Sequence, residues 1–253
     1  MSDLNGVRYG VEDGVATITL TRPEASNSID LATARSLRAA VDAAGADDSA
    51  GVILLAGEGP RFCAGGDVAW VMGQPEPSAA LLDLASELDG ALQRLDALPK
   101  PVVASVRGAA AGAGLGVVLA ADVVVSAATT RYLTAYAGVG LTPDCGVSWL
   151  LPRAVGRQRA LELALTGRVL SAEEAREWGL VTTVVEDDAL DRATAEVTAK
   201  LAAASPFALG QTRRLIRSSY AVSRAESGAD ESRTVSAAAR TEPARAAMAR
   251  FRK

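Results

Sequence analysis

The run at residues 108–116, GAAAGAGLG, carries no side chain that can do chemistry. It follows the apolar stretch at residues 101–106 and leads into residues 117–121, a pattern that predicts a strand, a tight turn and a helix. Such a turn offers backbone N–H groups, because the first amides of a helix have no partner within the helix. We therefore predict a site at which main-chain donors hold an oxyanion, a carbonyl oxygen or a phosphate.

Few side chains are available for proton transfer or nucleophilic attack. The 253 residues include no histidine, which excludes Ser-His and Cys-His nucleophile pairs, histidine metal ligands and histidine general bases. The two cysteines, Cys63 and Cys145, form no CxxC motif, so we expect neither a disulfide framework nor a metal site. Acid–base chemistry must therefore use a carboxylate, Tyr, Cys or Lys side chain.

Two further loops accompany the small-residue run. They are RFCAGGD at residues 61–67 and GVGLTPDCG at residues 138–146, and each follows a strand-like stretch, where α/β proteins place ligands. No Gly-Lys-Ser/Thr occurs, and Val117 stands where a GxGxxG motif needs glycine, so nucleotide binding is not indicated. Each loop alone is typical of a tight turn, so the argument rests on all three together.

The elements that must position these loops alternate between strands and helices. Apolar stretches predict strands at residues 15–20, 51–56, 102–106 and 122–126. Helices are predicted over residues 31–44, with Asp30 as the N-cap, and over residues 78–97. This order predicts an α/β core with right-handed crossovers.

The C-terminal part of the chain has a different pattern. Ser171 and Glu174 form a capping box, residues 180–186 predict a last strand, and everything after that is helical. We predict a core at residues 1–190 and a helical region at residues 191–253, which packs on its own domain or on a neighbouring subunit.

Composition excludes two classes of partner. The formal net charge is −4 and the arginines are scattered, so nucleic-acid binding is not expected. The longest apolar stretches, such as residues 117–125, contain Asp122 and are shorter than a membrane span. The first residues show no charged-then-apolar signal. We therefore expect a cytoplasmic protein with no nucleic-acid or membrane partner.

Taken together, the loops and their surroundings resemble the crotonase family, the enoyl-CoA hydratases and isomerases. The resemblance is carried by TRPEASN (21–27), FCAGGD (62–67), KPVVA (100–104), VRGAAAGAG (106–114), LLPRAVG (150–156) and SAEEAREWGL (171–180). It covers nearly the whole chain. It implies a crotonase-like spiral of ββα repeats with a helical C-terminal trimerisation region, and hence a homotrimer or a dimer of trimers.

The resemblance also implies an acyl-CoA thioester substrate, in which coenzyme A is part of the substrate and no separate cofactor is needed. An oxyanion hole formed by the amides of Ala64 and Ala113 would stabilise the enolate oxygen. By the same resemblance, the substrate-binding residues are Arg22, Ser26, Cys63, Gly65, Asp67, Val68, Gly112, Gly116 and Tyr136.

The sequence departs from the family at two catalytic positions. Hydratases of the family carry one glutamate after the second glycine run and another further on, and here those positions hold Gly116 and Tyr136. The remaining carboxylate, Asp144, lies in GLTPDCG, which with WLLPR is similar to the epoxyphenylacetyl-CoA isomerase branch, where an aspartate is the acid–base group. The alternative roles are a helix cap for Asp144, with a helix from Cys145, and acyl-pocket packing for Tyr136.

A single carboxylate favours double-bond isomerisation, because it can remove a proton from one carbon and return it to another. Three alternatives stay open. They are a hydratase that uses Asp144, a non-catalytic acyl-CoA-binding protein that keeps the oxyanion hole, and an aryl-CoA dehalogenase, whose usual histidine is absent here.

Overall fold

The computed structural model describes residues 2–251 and shows an α/β fold with two sheets. The strands in this range are β1 (Ser2–Leu4), β2 (Val7–Glu12), β3 (Val15–Leu20), β4 (Val52–Gly57), β5 (Val102–Val106), β6 (Ala109–Ala111), β7 (Val123–Ala127), β8 (Arg131–Leu133), β9 (Leu170–Ser171) and β10 (Thr183–Val185). The α-helices are α1 (Leu31–Ala46), α2 (Val68–Met72), α3 (Pro77–Ala97), α4 (Ala113–Leu119), α5 (Val147–Val155), α6 (Arg157–Thr166), α7 (Ala172–Trp178), α8 (Leu190–Ala202), α9 (Pro206–Ser218), α10 (Arg224–Ala238) and α11 (Glu242–Ala249).

The larger sheet has seven strands in the order β1-β2-β3-β4-β5-β7-β10. The first three pair antiparallel, and every pair from β3 to β10 is parallel. The smaller sheet has the order β6-β8-β9. Isolated bridges from Cys63 to Ala110 and from Ile29 to Gly66 extend the smaller layer.

One pattern repeats along the chain: a strand of the large sheet, a short segment of the smaller layer, and then a helix. β4 is followed by residues 63–66 and α2, β5 by β6 and α4, and β7 by β8 and α5. This is the expected ββα spiral, so the predicted fold class is confirmed. Each repeat delivers one of the three loops to the same layer, which is how loops distant in sequence meet.

Both faces of the large sheet are covered. Along β4, Ile53 and Leu55 belong to the core that contains α1 and α3, whereas Val52 belongs to a second core with Val103 and Leu190 of α8. Alternate residues of a strand point to opposite faces, and a parallel sheet with two covered faces needs strands that are apolar throughout. The Val-rich and Ala-rich composition of these strands fits that need.

The C-terminal helices differ in burial. α8 packs on the sheet, and α9 is joined to the core by the buried Arg213, whose Nε lies 2.7 Å from the Asp122 carboxylate. By contrast, α10 and α11 contain no buried residue. The division at residues 190/191 stays a prediction, and residues 252–253 of the predicted C-terminal region lie outside the described range. No helix within residues 2–251 is both long and apolar enough to cross a membrane.

Several local signals gave the right elements. The predicted strands at residues 15–20 and 102–106 are β3 and β5, and Asp30 accepts a hydrogen bond from the Thr33 amide at the start of α1. Both bonds of the Ser171–Glu174 capping box are present. The small-residue run, however, contains a strand that the sequence did not predict, β6, which forms because its partners in β8 and at Cys63 lie beside it.

Candidate active site

A cavity of about 490 Å³ lies where the three loops meet. The loop residues that line it are Ala64, Gly65, Gly66, Gly112, Ala113, Thr134, Ala135, Tyr136, Val139, Leu141 and Asp144. The remaining wall is mostly apolar and comes from α2 and α3, through Val68, Val71, Met72, Pro77, Ser78, Leu81 and Leu84. Among these described lining residues, Asp144 is the only carboxylate. The cavity is therefore an apolar space with one acidic group.

The two glycine-rich loops touch through their main chains. The Ala111 amide donates to the Cys63 carbonyl oxygen over 3.0 Å. A methyl group on Gly114 would lie 2.4 Å from that same oxygen, and one on Gly65 would lie 3.3 Å from the Ala113 nitrogen. Close approach of this kind requires residues without side chains, which explains why small residues dominate both loops.

The amides of Gly66 and Ala113, both on the cavity wall, have no backbone acceptor in the described part of the chain. Ala113 is the first residue of α4, so its amide has no partner within the helix. The Ala64 amide, in contrast, donates to the Ser26 carbonyl oxygen over 3.0 Å. The prediction for Ala64 is therefore corrected: its amide is occupied, whereas the Gly66 amide in the same loop has no backbone acceptor among the described residues.

Asp144 is held by a tyrosine. The Tyr136 hydroxyl donates to Asp144 Oδ1 over 2.6 Å. Burial, together with the nearby Asp144 charge, raises the pKa of the Tyr136 phenol, so the phenol stays protonated. The helix-cap interpretation of Asp144 is wrong, because α5 begins at Val147 with Gly146 as its N-cap, and no side chain caps it. Tyr136 does line the cavity, as predicted, but its hydroxyl has a second role.

The turn beside Asp144 explains why residue 116 is glycine. Cys145 and Gly146 both have left-handed backbone conformations, with φ of 49° and 74°. A methyl group on Gly116 would lie 2.8 Å from the Cys145 carbonyl oxygen. We predicted Gly116 as a substrate-binding residue, but it does not line the cavity. It instead supports the turn that presents Asp144.

The two cysteines are inert groups in this arrangement. Cys63 is fully buried, and burial raises the pKa of its thiol to about 12, while its sulfur accepts a hydrogen bond from the Gly65 amide over 3.4 Å. Burial and the Asp144 charge also raise the pKa of Cys145. Neither thiol is ionised near neutral pH, so neither is a nucleophile. No cluster of His, Cys, Asp or Glu that could hold a metal ion occurs in residues 2–251.

Three predicted substrate contacts brace the loops instead of lining the cavity. The Arg22 guanidinium lies 2.9 Å from the Asp67 carboxylate and also contacts Asp30. Asp67 caps α2 by accepting a hydrogen bond from the Trp70 amide over 3.0 Å. Burial raises the pKa of Asp67, but the hydrogen bonds from Trp70 and Arg22 outweigh burial and keep that pKa below its usual value. The Ser26 carbonyl oxygen is taken by the Ala64 amide. Contacts of Arg22, Ser26 and Asp67 with a nucleotide outside the cavity stay predictions.

Cys63, fully buried, does not line the cavity either. Of the other predicted substrate contacts, Gly65, Val68, Gly112 and Tyr136 do line it.

A second cavity, of about 580 Å³, is lined in part by the same turn. It is lined by α3, through Asp89 and Asp96 among others, and by residues 144–146 and the first turns of α5. Asp144 borders both cavities.

Comparison with known proteins gives concordant matches. Residues 10–252 match a family model described as Enoyl-CoA hydratase/isomerase. The chain is 40% identical over 210 residues to the 1,2-epoxyphenylacetyl-CoA isomerase of Escherichia coli K12, covering 82% of this chain and 80% of that protein. It is 38% identical over 204 residues to the trans-2-decenoyl-[acyl-carrier-protein] isomerase of Streptococcus mutans, covering 79% and 76%. The crystal structure of an enoyl-CoA hydratase from Mycobacterium smegmatis superimposes with a TM-score of 0.91 at 29% identity, covering 97% and 95%.

Proposed function

Because the chain belongs to the enoyl-CoA hydratase/isomerase family, we propose that it is an isomerase that moves a carbon–carbon double bond within an acyl-CoA thioester. One observation carries this choice: Asp144 is the only carboxylate among the described residues that line the cavity. A proton shuttle needs a single group that accepts a proton and returns it. A hydration mechanism with two carboxylates lacks its second carboxylate here, because the two positions at which hydratases of the family carry glutamate hold Gly116 and Tyr136.

In the proposed reaction, the thioester carbonyl oxygen accepts hydrogen bonds from the amides of Gly66 and Ala113. The Asp144 carboxylate removes a proton from C2 of a 3-enoyl thioester, and the electron pair of that C–H bond forms a dienolate whose negative charge rests on the thioester oxygen. Protonated Asp144 then returns the proton to C4, so the double bond ends between C2 and C3. Each amide donor of such a hole contributes about 3–4 kcal/mol to transition-state stabilisation.

Two further observations support an isomerase with an apolar acyl group. The cavity walls beside Asp144 are apolar, through side chains such as Val68, Leu81 and Leu141, and apolar walls favour a hydrocarbon chain or ring. The relatives from E. coli and S. mutans are both named isomerases, one for a CoA thioester and the other for an acyl-carrier-protein thioester.

Two substrates presented separately test the proposal. We expect 3-hexenoyl-CoA to gain the ultraviolet absorbance of a conjugated enoyl thioester when the protein is added. A loss of absorbance from 2-hexenoyl-CoA, with no reaction of the 3-enoyl isomer, would instead identify a hydratase that uses Asp144. Binding of both thioesters by calorimetry without any change in either spectrum would indicate a non-catalytic acyl-CoA-binding protein.

We further propose that the C-terminal helices join subunits into a homotrimer or a dimer of trimers. This is supported by α10 and α11, which bury no residue, and by exposed apolar side chains on them such as Val235 and Met248. Light scattering after size-exclusion chromatography should give a multiple of three times the chain mass. A Val235→Glu variant should lower that mass, and a monomeric wild-type protein would contradict the proposal.

A further inference from the structure

We propose that Tyr136 is a positioning residue, which fixes the Asp144 carboxylate for proton transfer through the hydrogen bond from its hydroxyl. The proposal rests on the proposed isomerase function. Its geometric basis is the 2.6 Å distance between the Tyr136 hydroxyl and Asp144 Oδ1, which is the short range typical of a hydrogen bond to an ionised oxygen.

The phenol is suited to donate and unsuited to take a proton. Tyr136 is buried, and burial and the neighbouring carboxylate both oppose its ionisation. It therefore keeps its proton throughout the working pH range and offers Asp144 a permanent donor. The phenol does not replace the glutamate of hydratases as an acid–base group, although it occupies that position in the sequence.

Among the described residues, Asp144 has no Lys or Arg beside it on the walls of the two cavities that it borders. The titratable groups beside it are Tyr136 and Cys145, and Asp89 and Asp96 line the second cavity. None of the described residues that line either cavity is Lys or Arg. A carboxylate that borders two cavities can rotate, and the hydrogen bond from Tyr136 favours one orientation.

A Tyr136→Phe variant tests this directly, because it removes one oxygen and keeps the ring that lines the cavity. We expect kcat for 3-hexenoyl-CoA to fall about 10- to 100-fold, as for a catalytic group that is displaced, with KM close to that of the wild type.

The chain offers a matched control in Tyr132→Phe. Tyr132 is also buried, and its hydroxyl donates to Ser126 Oγ over 2.8 Å, within the core and away from the cavity. This variant should lose some stability and keep the wild-type kcat and KM. A wild-type kcat in Tyr136→Phe would overturn the proposal and leave Tyr136 as a lining residue.

A second measurement separates this proposal from the proposed function. In protein labelled with ¹³C at aspartate side-chain carboxyl carbons, the Asp144 signal is assigned as the one missing from an Asp144→Asn variant. Its chemical shift at pH 7 should change in Tyr136→Phe, because the hydrogen bond to the carboxylate is lost, and should stay in place in Tyr132→Phe, whether or not the wild type isomerises the thioester. An unchanged Asp144 chemical shift refutes the positioning role, whereas a changed shift with an inactive wild type refutes only the isomerase.

Discussion

The cavity presents two kinds of machinery, one made of main chain and one made of side chains. The amides of Gly66 and Ala113 are placed by backbone bonds and by loops in van der Waals contact. The Tyr136–Asp144 pair depends on single side-chain atoms. The main-chain amides need no particular side chain, but the loops that carry them have no room for added atoms. The Tyr136–Asp144 pair, in contrast, is lost when a single oxygen atom is removed. Different substitutions should therefore disable each part.

The largest effect is expected from Asp144→Asn, which keeps the shape of the side chain and removes its basic oxygen. Turnover should fall about 1,000-fold, within the range for loss of a general acid–base group. Affinity for the acyl-CoA, measured by calorimetry, should stay near the wild-type value, since the amide donors are intact. Wild-type turnover in this variant would exclude Asp144 as the acid–base group.

The main-chain part should fail when a methyl group is added. In Gly114→Ala the new carbon would lie 2.4 Å from the Cys63 carbonyl oxygen, so the loops must separate and the Ala113 amide must move. We expect kcat to fall about 100-fold and urea unfolding to show a loss of about 1–3 kcal/mol. In the control Gly138→Ala the added carbon meets nothing within 4 Å, so activity and stability should be unchanged. Equal behaviour of the two variants would contradict the close-contact argument.

The smallest effect is expected from the thiols, which lie among the site elements without a role. Because burial raises the pKa of Cys63 to about 12 and that of Cys145 also upward, raising the pH from 7 to 9 leaves both protonated in the folded protein. The same change ionises the thiols of the unfolded chain. Iodoacetamide at pH 9 should therefore spare activity and label both cysteines only in urea. Loss of activity in step with one alkylated thiol in the folded protein would sink this prediction.

The α/β core and its local caps could be predicted from signals that lie within a few residues of one another, whereas the spiral was implied by the resemblance to the crotonase family. The alternating strand β3, the Asp30 cap and the Ser171–Glu174 capping box are of this kind. Asp144 was also found, since it is the carboxylate in a loop that the family motif marks.

The details that were missed depend on distant partners. Which amide of the 63–66 loop is free depends on the Ser26 carbonyl oxygen, which takes the Ala64 amide and leaves that of Gly66. The Tyr136–Asp144 hydrogen bond spans a 3-10 turn and an irregular loop, so no helical or strand periodicity in the sequence predicts it. Sequence patterns of period 2 or 3.6 detect only contacts made within regular elements.

The contact between Gly116 and the Cys145 carbonyl oxygen also limits the routes by which this enzyme can change over evolutionary time. A glutamate at position 116 needs space that the turn now fills, so this change is disfavoured until the turn is rebuilt. Rebuilding the turn displaces Asp144, the proposed acid–base group. If the proposed function holds, single substitutions that build a second carboxylate into this site must first pass through chains in which Asp144 is misplaced.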